Sequence, residues 1–83
     1  MEIRILGIGC ANCQRLERIA REAATEMGVE ATFIKVTEMR EIMTYHILGT
    51  PGLVIDGKVV SAARIPGKAE VSTWIANAAM AEG

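Results

Sequence analysis

The only two cysteines of the chain, Cys10 and Cys13, lie three residues apart within residues 7–16, GIGCANCQRL. An apolar run precedes this segment and a run with helical periodicity follows it. Residues i and i+3 on a first helical turn share one face, with Cβ atoms about 5–6 Å apart, which is close enough for a disulfide to form without large backbone movement. The free N–H groups and partial positive charge of a helix N-terminus favour a thiolate over a thiol. The pattern therefore predicts a redox-active cysteine pair at the start of a helix.

Size and charge restrict the classes of function. The chain has 83 residues, so residues 1–83 are expected to form one domain, and its apolar content of 51% suits a small, efficient core. The formal net charge is −1 with both signs interspersed, so neither nucleic acid nor a membrane surface is an expected partner. The chain contains no secretory signal pattern and no apolar run of about 18 residues, so a cytoplasmic location is expected. In a reducing cytosol such a pair is more often catalytic or metal-binding than structural.

Periodicity predicts four strands and three helices in the order βαβαββα. The first helix, ending before Gly28, crosses between two parallel strands, and Asp56-Gly57 is a preferred type I′ turn joining the last two. Thr37 is expected to cap a second helix of about three turns. The expected fold class is α/β, with a four-stranded mixed sheet sandwiched between helices. The predicted strands span residues 2–7, 29–36, 53–55 and 58–62, and the first and last helices span 12–27 and about 71–79.

Three features together resemble the thioredoxin–glutaredoxin superfamily. The Cys-x-x-Cys follows the first strand and opens the first helix, Thr50-Pro51 precedes the third strand, and the element order is that of the family's minimal fold. The run 45–57, YHILGTPGLVIDG, is similar to the family's stretch from second helix to hairpin. The chain looks most like the small thioredoxin-like redox-active disulfide proteins of archaea and bacteria, over nearly all of its length.

The resemblance implies a thiol-disulfide oxidoreductase that acts on protein disulfides, in the manner of a protein-disulfide reductase or electron-carrier protein. Cys10 would be the attacking thiolate and Cys13 the resolving thiol. A flavin-dependent, NADPH-driven enzyme like thioredoxin reductase is the implied reductant, and a monomer without a cofactor is expected. Residues implied to dock the substrate or support the site are Gly9, Ala11, Asn12, Thr50 and Pro51, the last in a cis peptide bond, which only proline forms at small cost.

This sequence departs from the family's pattern at several positions. Gly9 stands where thioredoxins usually have Trp, and Ala11-Asn12 replaces Gly-Pro between the cysteines. The acid that assists the resolving cysteine should come from the first strand, where this chain has Arg4. Residues 61–67, SAARIPG, lack the Gly-Gly and acidic residue with which glutaredoxins bind glutathione. Glutathione is therefore not expected to be an obligate substrate.

The alternative function is soft-metal binding or delivery, since two thiolates suit Cu(I) or a metalloid. The segment 7–13 also resembles the Gly-Met-x-Cys-x-x-Cys loop of heavy-metal-associated domains. Ile8 stands at that family's Met, and its βαββαβ order has no place for Thr50-Pro51 before a hairpin. Redox exchange is therefore the preferred prediction.

Two expectations concern the packing of apolar side chains. An exposed apolar patch around Ile8, Thr50 and Pro51 is expected to dock partners. Three methionines on the helical stripes are expected to fill the core: Met27, Met39 and Met43.

Overall fold

The computed structural model describes residues 1–82, which form four strands and three helices in the predicted order. The elements are β1 Glu2–Leu6, α1 Ala11–Glu26, β2 Thr32–Val36, α2 Met39–Met43, β3 Gly52–Ile55, β4 Lys58–Ala62 and α3 Lys68–Glu82.

The four strands form one mixed sheet in the order β2-β1-β3-β4. β1 pairs in parallel with β2, from Glu2 opposite Thr32 to Leu6 opposite Val36, as the crossover through α1 requires. The pairs β1–β3 and β3–β4 are antiparallel. Since β1 is an inner strand, its carboxyl end carries the chain from the middle of the sheet directly into the cysteine segment.

Helices cover both faces of the sheet, which confirms the predicted fold class. On one face α1 and α3 pack on β1 and β3, and on the other face α2 and the loop after it pack on a smaller cluster. The larger cluster has the buried residues Ile3, Ile5, Leu16, Ala20, Ala23, Ala24, Leu53, Ile55, Val71 and Ile75. The smaller cluster has Leu6, Val36, Ile42 and Val54, with Ile34, Tyr45 and Ile47 beside them.

The turn after α1 makes β2 shorter than predicted. Gly28 has the positive φ of a helix-terminating residue, 68°, and the N–H of Val29 donates to the carbonyl of Ala24 at 2.9 Å. The pairing of β1 with β2 starts only at Glu2 opposite Thr32. The prediction of a strand from residue 29 was therefore wrong by three residues, because Val29 belongs to the end of α1.

The second helix is much shorter than the predicted three turns. Glu38, not Thr37, is its N-cap residue, and no side chain caps it. After Met39–Met43 the Thr44 hydroxyl donates to the carbonyl of Glu41 at 2.6 Å, and His46 adopts a left-handed conformation with φ 57°. A side chain that competes for a helical carbonyl, followed by a left-handed residue, ends the helix where the apolar period alone suggests that it continues.

The prediction that three methionines fill the core was also wrong. Met27, Met39 and Met43 are 37%, 50% and 67% exposed, respectively. Met27 follows the last residue of α1 as its C-cap residue. A helix of five residues places only Ile42 in the core, so the methionines of α2 lie at the surface.

Candidate active site

Cys10 and Cys13 lie where β1 leads into α1. Cys10 is the N-cap residue of α1, with extended φ and ψ of −77° and 170°, and its carbonyl accepts the N–H of Gln14 at 3.2 Å. Cys13 lies in the first turn of the helix. Both thiols are free, and their Sγ atoms are 3.2 Å apart. Cys10 is exposed, whereas Cys13 is only 6% exposed.

The environment of Cys10 favours its thiolate. The hydrogen bond with the Cys13 thiol is the largest influence that lowers the pKa of Cys10, and the backbone N–H groups of Cys13 and Asn12 lower it further. Partial desolvation opposes these contacts but does not outweigh them. The free N–H groups of the first helical turn thus stabilise a negative charge at the exposed sulfur.

Cys13 has the opposite environment. Burial is the largest influence that raises the pKa of Cys13, and the hydrogen bond with Cys10 raises it further, because both favour the neutral thiol. The pair therefore combines an exposed sulfur that ionises readily with a buried sulfur that keeps its proton. The two sulfurs also differ in access, because Cys10 is exposed and Cys13 is almost fully buried.

A small cavity of about 60 Å³ lies beside Cys13 and is also lined by Gly7, Glu17 and Lys35. The side chain of Glu17 is 16% exposed, and its carboxylate lies 3.2 Å from the Lys35 ammonium and 2.9 Å from the Arg21 guanidinium. Burial raises the pKa of Glu17, but hydrogen bonds from Arg21 and Lys35 outweigh it and leave the pKa below its ordinary value. An ionised carboxylate therefore lines the same cavity as the buried thiol.

Sequence reasoning missed Glu17 because it looked for an acid on the first strand. The signal was the spacing: residue 17 is one helical turn after Cys13, so both lie on the same face of α1. Arg4, which occupies the strand position, donates to Glu2 at 2.8 Å and to the Tyr45 hydroxyl at 3.3 Å. Since Tyr45 belongs to the α2 side of the sheet, Arg4 lies on the face away from α1.

The Thr50–Pro51 peptide bond is cis, as the resemblance implied. Pro51 is buried, and its carbonyl accepts the N–H of Ala63 at 3.0 Å. Thr50 is exposed, and within residues 1–82 its backbone makes no hydrogen bond to another backbone group. A Cβ added to Gly7 would lie 2.1 Å from the Cys13 Sγ and 3.9 Å from the Thr50 Cβ, so Gly7 lies against both the buried thiol and this loop.

The other predicted site residues surround the exposed thiol. Gly9 precedes Cys10 with a positive φ of 85°, and Ala11 is the first residue of α1. Asn12 is exposed and acts on Cys10 through its backbone N–H.

The apolar surface near the site differs from the predicted patch around Ile8, Thr50 and Pro51. Ile8 is 64% exposed, but Pro51 is buried. A groove of about 240 Å³ adjoins Thr50 instead, between α2 and the loop that follows it. We call this the α2 groove; its lining residues are Met39, Ile42, Met43, Ile47, Leu48, Gly49 and Thr50.

A family model for the thioredoxin domain matches residues 1–76, which is almost the whole chain. The chain belongs to the thioredoxin family. It is 45% identical over 71 residues to a protein named thioredoxin from Methanothermobacter thermautotrophicus, a match covering 86% of this chain and 92% of that protein. It is 35% identical over 69 residues to a protein named thioredoxin from Methanocaldococcus jannaschii, covering 83% of this chain and 79% of that protein.

Family membership fixes the general activity as thiol-disulfide oxidoreduction. The dithiol geometry fits that class, with two free sulfurs 3.2 Å apart. The observed βαβαββα order also differs from the βαββαβ order of heavy-metal-associated domains. None of the helices formed by residues 1–82 has the length and apolar character that a membrane span needs.

Proposed function

We propose that this chain reduces disulfides of other proteins by exchange with its Cys10–Cys13 dithiol, acting as a single domain of residues 1–83 in the cytoplasm. The observation that carries the proposal is the asymmetry of the pair. The exposed Cys10 has a lowered pKa, and the buried Cys13, 3.2 Å away, has a raised one. A thiolate is the reactive form of cysteine, so the accessible sulfur is also the activated one.

The exchange takes place in two steps. The Cys10 thiolate attacks one sulfur of the substrate disulfide, which forms a mixed disulfide and releases the other substrate sulfur as a thiolate. Cys13 then loses its proton and attacks the Cys10 Sγ, which releases the second substrate thiolate and leaves a Cys10–Cys13 disulfide. Two electrons pass from the dithiol to the substrate. An NADPH-driven flavoenzyme of the thioredoxin-reductase type is the proposed source of electrons for the next cycle.

The loop before β3 supports docking of a protein segment. The Thr50 backbone has no backbone partner within residues 1–82, so an extended substrate strand can pair with it by β-addition. Pro51 fixes the loop beside β4 through its bond to Ala63. Gly9, Ala11 and Asn12 form the exposed rim around Cys10, and we propose that they contact the substrate near its disulfide.

The roles of the two cysteines are tested by trapping mixed disulfides. A Cys13→Ser variant incubated with oxidised substrate protein, or with cell extract, should accumulate mixed disulfides on Cys10, because the resolving sulfur is missing. A Cys10→Ser variant is the matched control and should trap little, because its remaining thiol is buried with a raised pKa. Equal trapping by both variants would contradict the assigned roles.

A redox titration separates this proposal from soft-metal binding. In metal-free buffer the thiols should titrate as one reversible two-electron couple. The number of free thiols is measured at each potential by alkylation and mass spectrometry. A pair that forms no reversible intramolecular disulfide but binds Cu(I) tightly would contradict the proposal.

A further inference from the structure

Gly7 occupies a position where the backbone has little freedom to move. It follows the last residue of β1, an inner strand, and its N–H donates to the carbonyl of Val36 at 3.0 Å. The preceding residue, Leu6, pairs with Val36 on one side and Gly52 on the other. The end of β1 is therefore held from both neighbouring strands.

The space beside Gly7 is occupied by a sulfur atom. A Cβ at this position would lie 2.1 Å from the Cys13 Sγ and 3.4 Å from the Cys13 Cβ. Non-bonded carbon atoms make optimal contact at about 3.5–4.0 Å, so the first distance is a severe overlap and the second is nearly ordinary contact. The obstacle to a side chain at residue 7 is thus a single atom, the resolving sulfur.

Backbone conformation does not explain a glycine here. Gly9, Gly28 and Gly57 have positive φ values of 85°, 68° and 83°, which favour glycine, whereas Gly7 is outside that region. An alanine at residue 7 would therefore be compatible with the backbone if the sulfur were absent.

We propose that Gly7 is a positioning residue for Cys13: the space left by its missing side chain receives the Cys13 Sγ and holds it at the end of β1, within reach of Cys10. The consequence for catalysis rests on the proposed dithiol exchange, but the packing relationship does not. Any side chain at residue 7 has to displace the sulfur, because the strand is fixed.

A displaced sulfur affects the oxidised form most. The Sγ atoms are 3.2 Å apart in the dithiol and have to approach to about 2.05 Å in a disulfide with narrow geometric limits. We expect Gly7→Ala to reduce the equilibrium constant for forming the Cys10–Cys13 disulfide at least tenfold, which is about 30 mV toward less negative potential for a two-electron couple. Resolution of the mixed disulfide should slow as well, because Cys13 no longer lies in place.

A double-mutant cycle on the reduced full-length chain tests the packing relationship. Gly7→Ala should lower the urea midpoint of unfolding in the parent but much less in a Cys13→Ala background, because the overlapping atom is then gone. Gly67→Ala is the control: its added Cβ would have no neighbour nearer than 3.9 Å, so it should have the same effect in both backgrounds. If Gly7→Ala does not fold, a folded Gly7→Ala/Cys13→Ala double variant supports the proposal.

Equal destabilisation by Gly7→Ala in both backgrounds, or a double variant that also fails to fold, would overturn the proposal, since Gly7 would then serve the strand itself. A coupled cycle with an unchanged reduction potential would overturn the positioning role. The trapping experiment and the redox titration described above, with Gly7 unchanged, test the proposed exchange separately. If they fail while the stability cycle shows coupling, the exchange is wrong and the packing relationship stands.

Discussion

The Glu17 carboxylate lies one helical turn after Cys13 on α1 and lines the same cavity of about 60 Å³ as that buried thiol. It is held ionised by Arg21 and Lys35, whose hydrogen bonds outweigh its burial. A negative charge beside a thiol disfavours the thiolate, whereas a positive charge favours it. We therefore expect the charges of Glu17 and Lys35 to modulate the pKa of Cys13, in addition to the effects of its burial and of Cys10.

Removing the charge of Glu17 and removing the charge of Lys35 should shift the pKa of Cys13 in opposite directions. In a Cys10→Ser background, where only Cys13 reacts, Glu17→Gln should lower the pKa of Cys13 and speed its alkylation at a given pH. Lys35→Met removes a positive charge and should slow it. The measurement is the pH dependence of alkylation by iodoacetamide. Shifts of the same sign in both variants would exclude an electrostatic cause.

The Cys10 thiolate should depend on the Cys13 thiol as a hydrogen-bond donor, because that bond is the largest influence on the lowered pKa of Cys10. Cys13→Ala should move the pH profile of Cys10 alkylation to higher pH. Cys13→Ser is the matched control, since its hydroxyl can still donate, and should cause a smaller change. Profiles unchanged from the parent in both variants would mean that the Cys13 thiol does not lower the pKa of Cys10.

Much of the fold could be predicted because its signals are local. The helical periodicity after the cysteines indicated α1, whose residues Leu16, Ala20 and Ala23 are buried in the core. The Asp56-Gly57 turn, with φ values of 48° and 83°, indicated the β3–β4 hairpin. The length of α2 could not be predicted from the apolar periodicity. The helix is ended by the Thr44 hydroxyl, which donates to a helical carbonyl, and by the left-handed conformation of His46, and neither changes the apolar pattern. Met39 and Met43 were misplaced for the same reason.

The site was predictable only in part. The spacing of Cys10 and Cys13 indicated the dithiol and its position at a helix N-terminus. The contact between Gly7 and the Cys13 Sγ was not visible, because it depends on the distance between the end of β1 and the first turn of α1. Sequence spacing shows which residues share a helix face, but not which atoms of another element fill the space beside them.

The contribution of Glu70 to the free energy of unfolding should change with pH mainly between about 4.3 and 2. Its carboxylate accepts hydrogen bonds from Arg64 at 2.7 Å and from the Gly67 N–H at 3.1 Å, and its pKa is lowered to about 2. A carboxylate with a depressed folded-state pKa contributes stability above its unfolded pKa of about 4.3, and this contribution is lost as the pH falls through about 2. The free energy of unfolding of Glu70→Gln should therefore lie below that of the parent at pH 6, and the two should converge near pH 2. Glu22→Gln, at an exposed position on α1, is the control. A difference between Glu70→Gln and the parent that stays constant across this pH range would contradict the assignment.

Ser61 carries a buried hydroxyl that has no hydrogen-bond partner among residues 1–82. An unsatisfied buried polar group costs about 1–3 kcal/mol, so Ser61→Ala should raise the free energy of unfolding by about 1 kcal/mol. Ser61→Thr keeps the hydroxyl and should give no such gain. Urea unfolding of the three proteins is the measurement, and a loss of stability in Ser61→Ala would mean that the hydroxyl has a partner in solution.

The α2 groove should matter for protein substrates and not for small ones. Leu48 and Met43 are exposed and line it beside Thr50, so their replacement should leave stability within about 0.5 kcal/mol. Methionine-rich surfaces adapt to varied apolar partners, and we expect Met43→Ser and Leu48→Ser each to lower kcat/KM severalfold for a protein disulfide through a higher KM. Reduction of a small aromatic disulfide should be unchanged, because that substrate needs only access to Cys10. Met80→Ser, at an exposed position on α3, is the control. Equal losses for both substrates would indicate a disturbed dithiol instead of a lost contact.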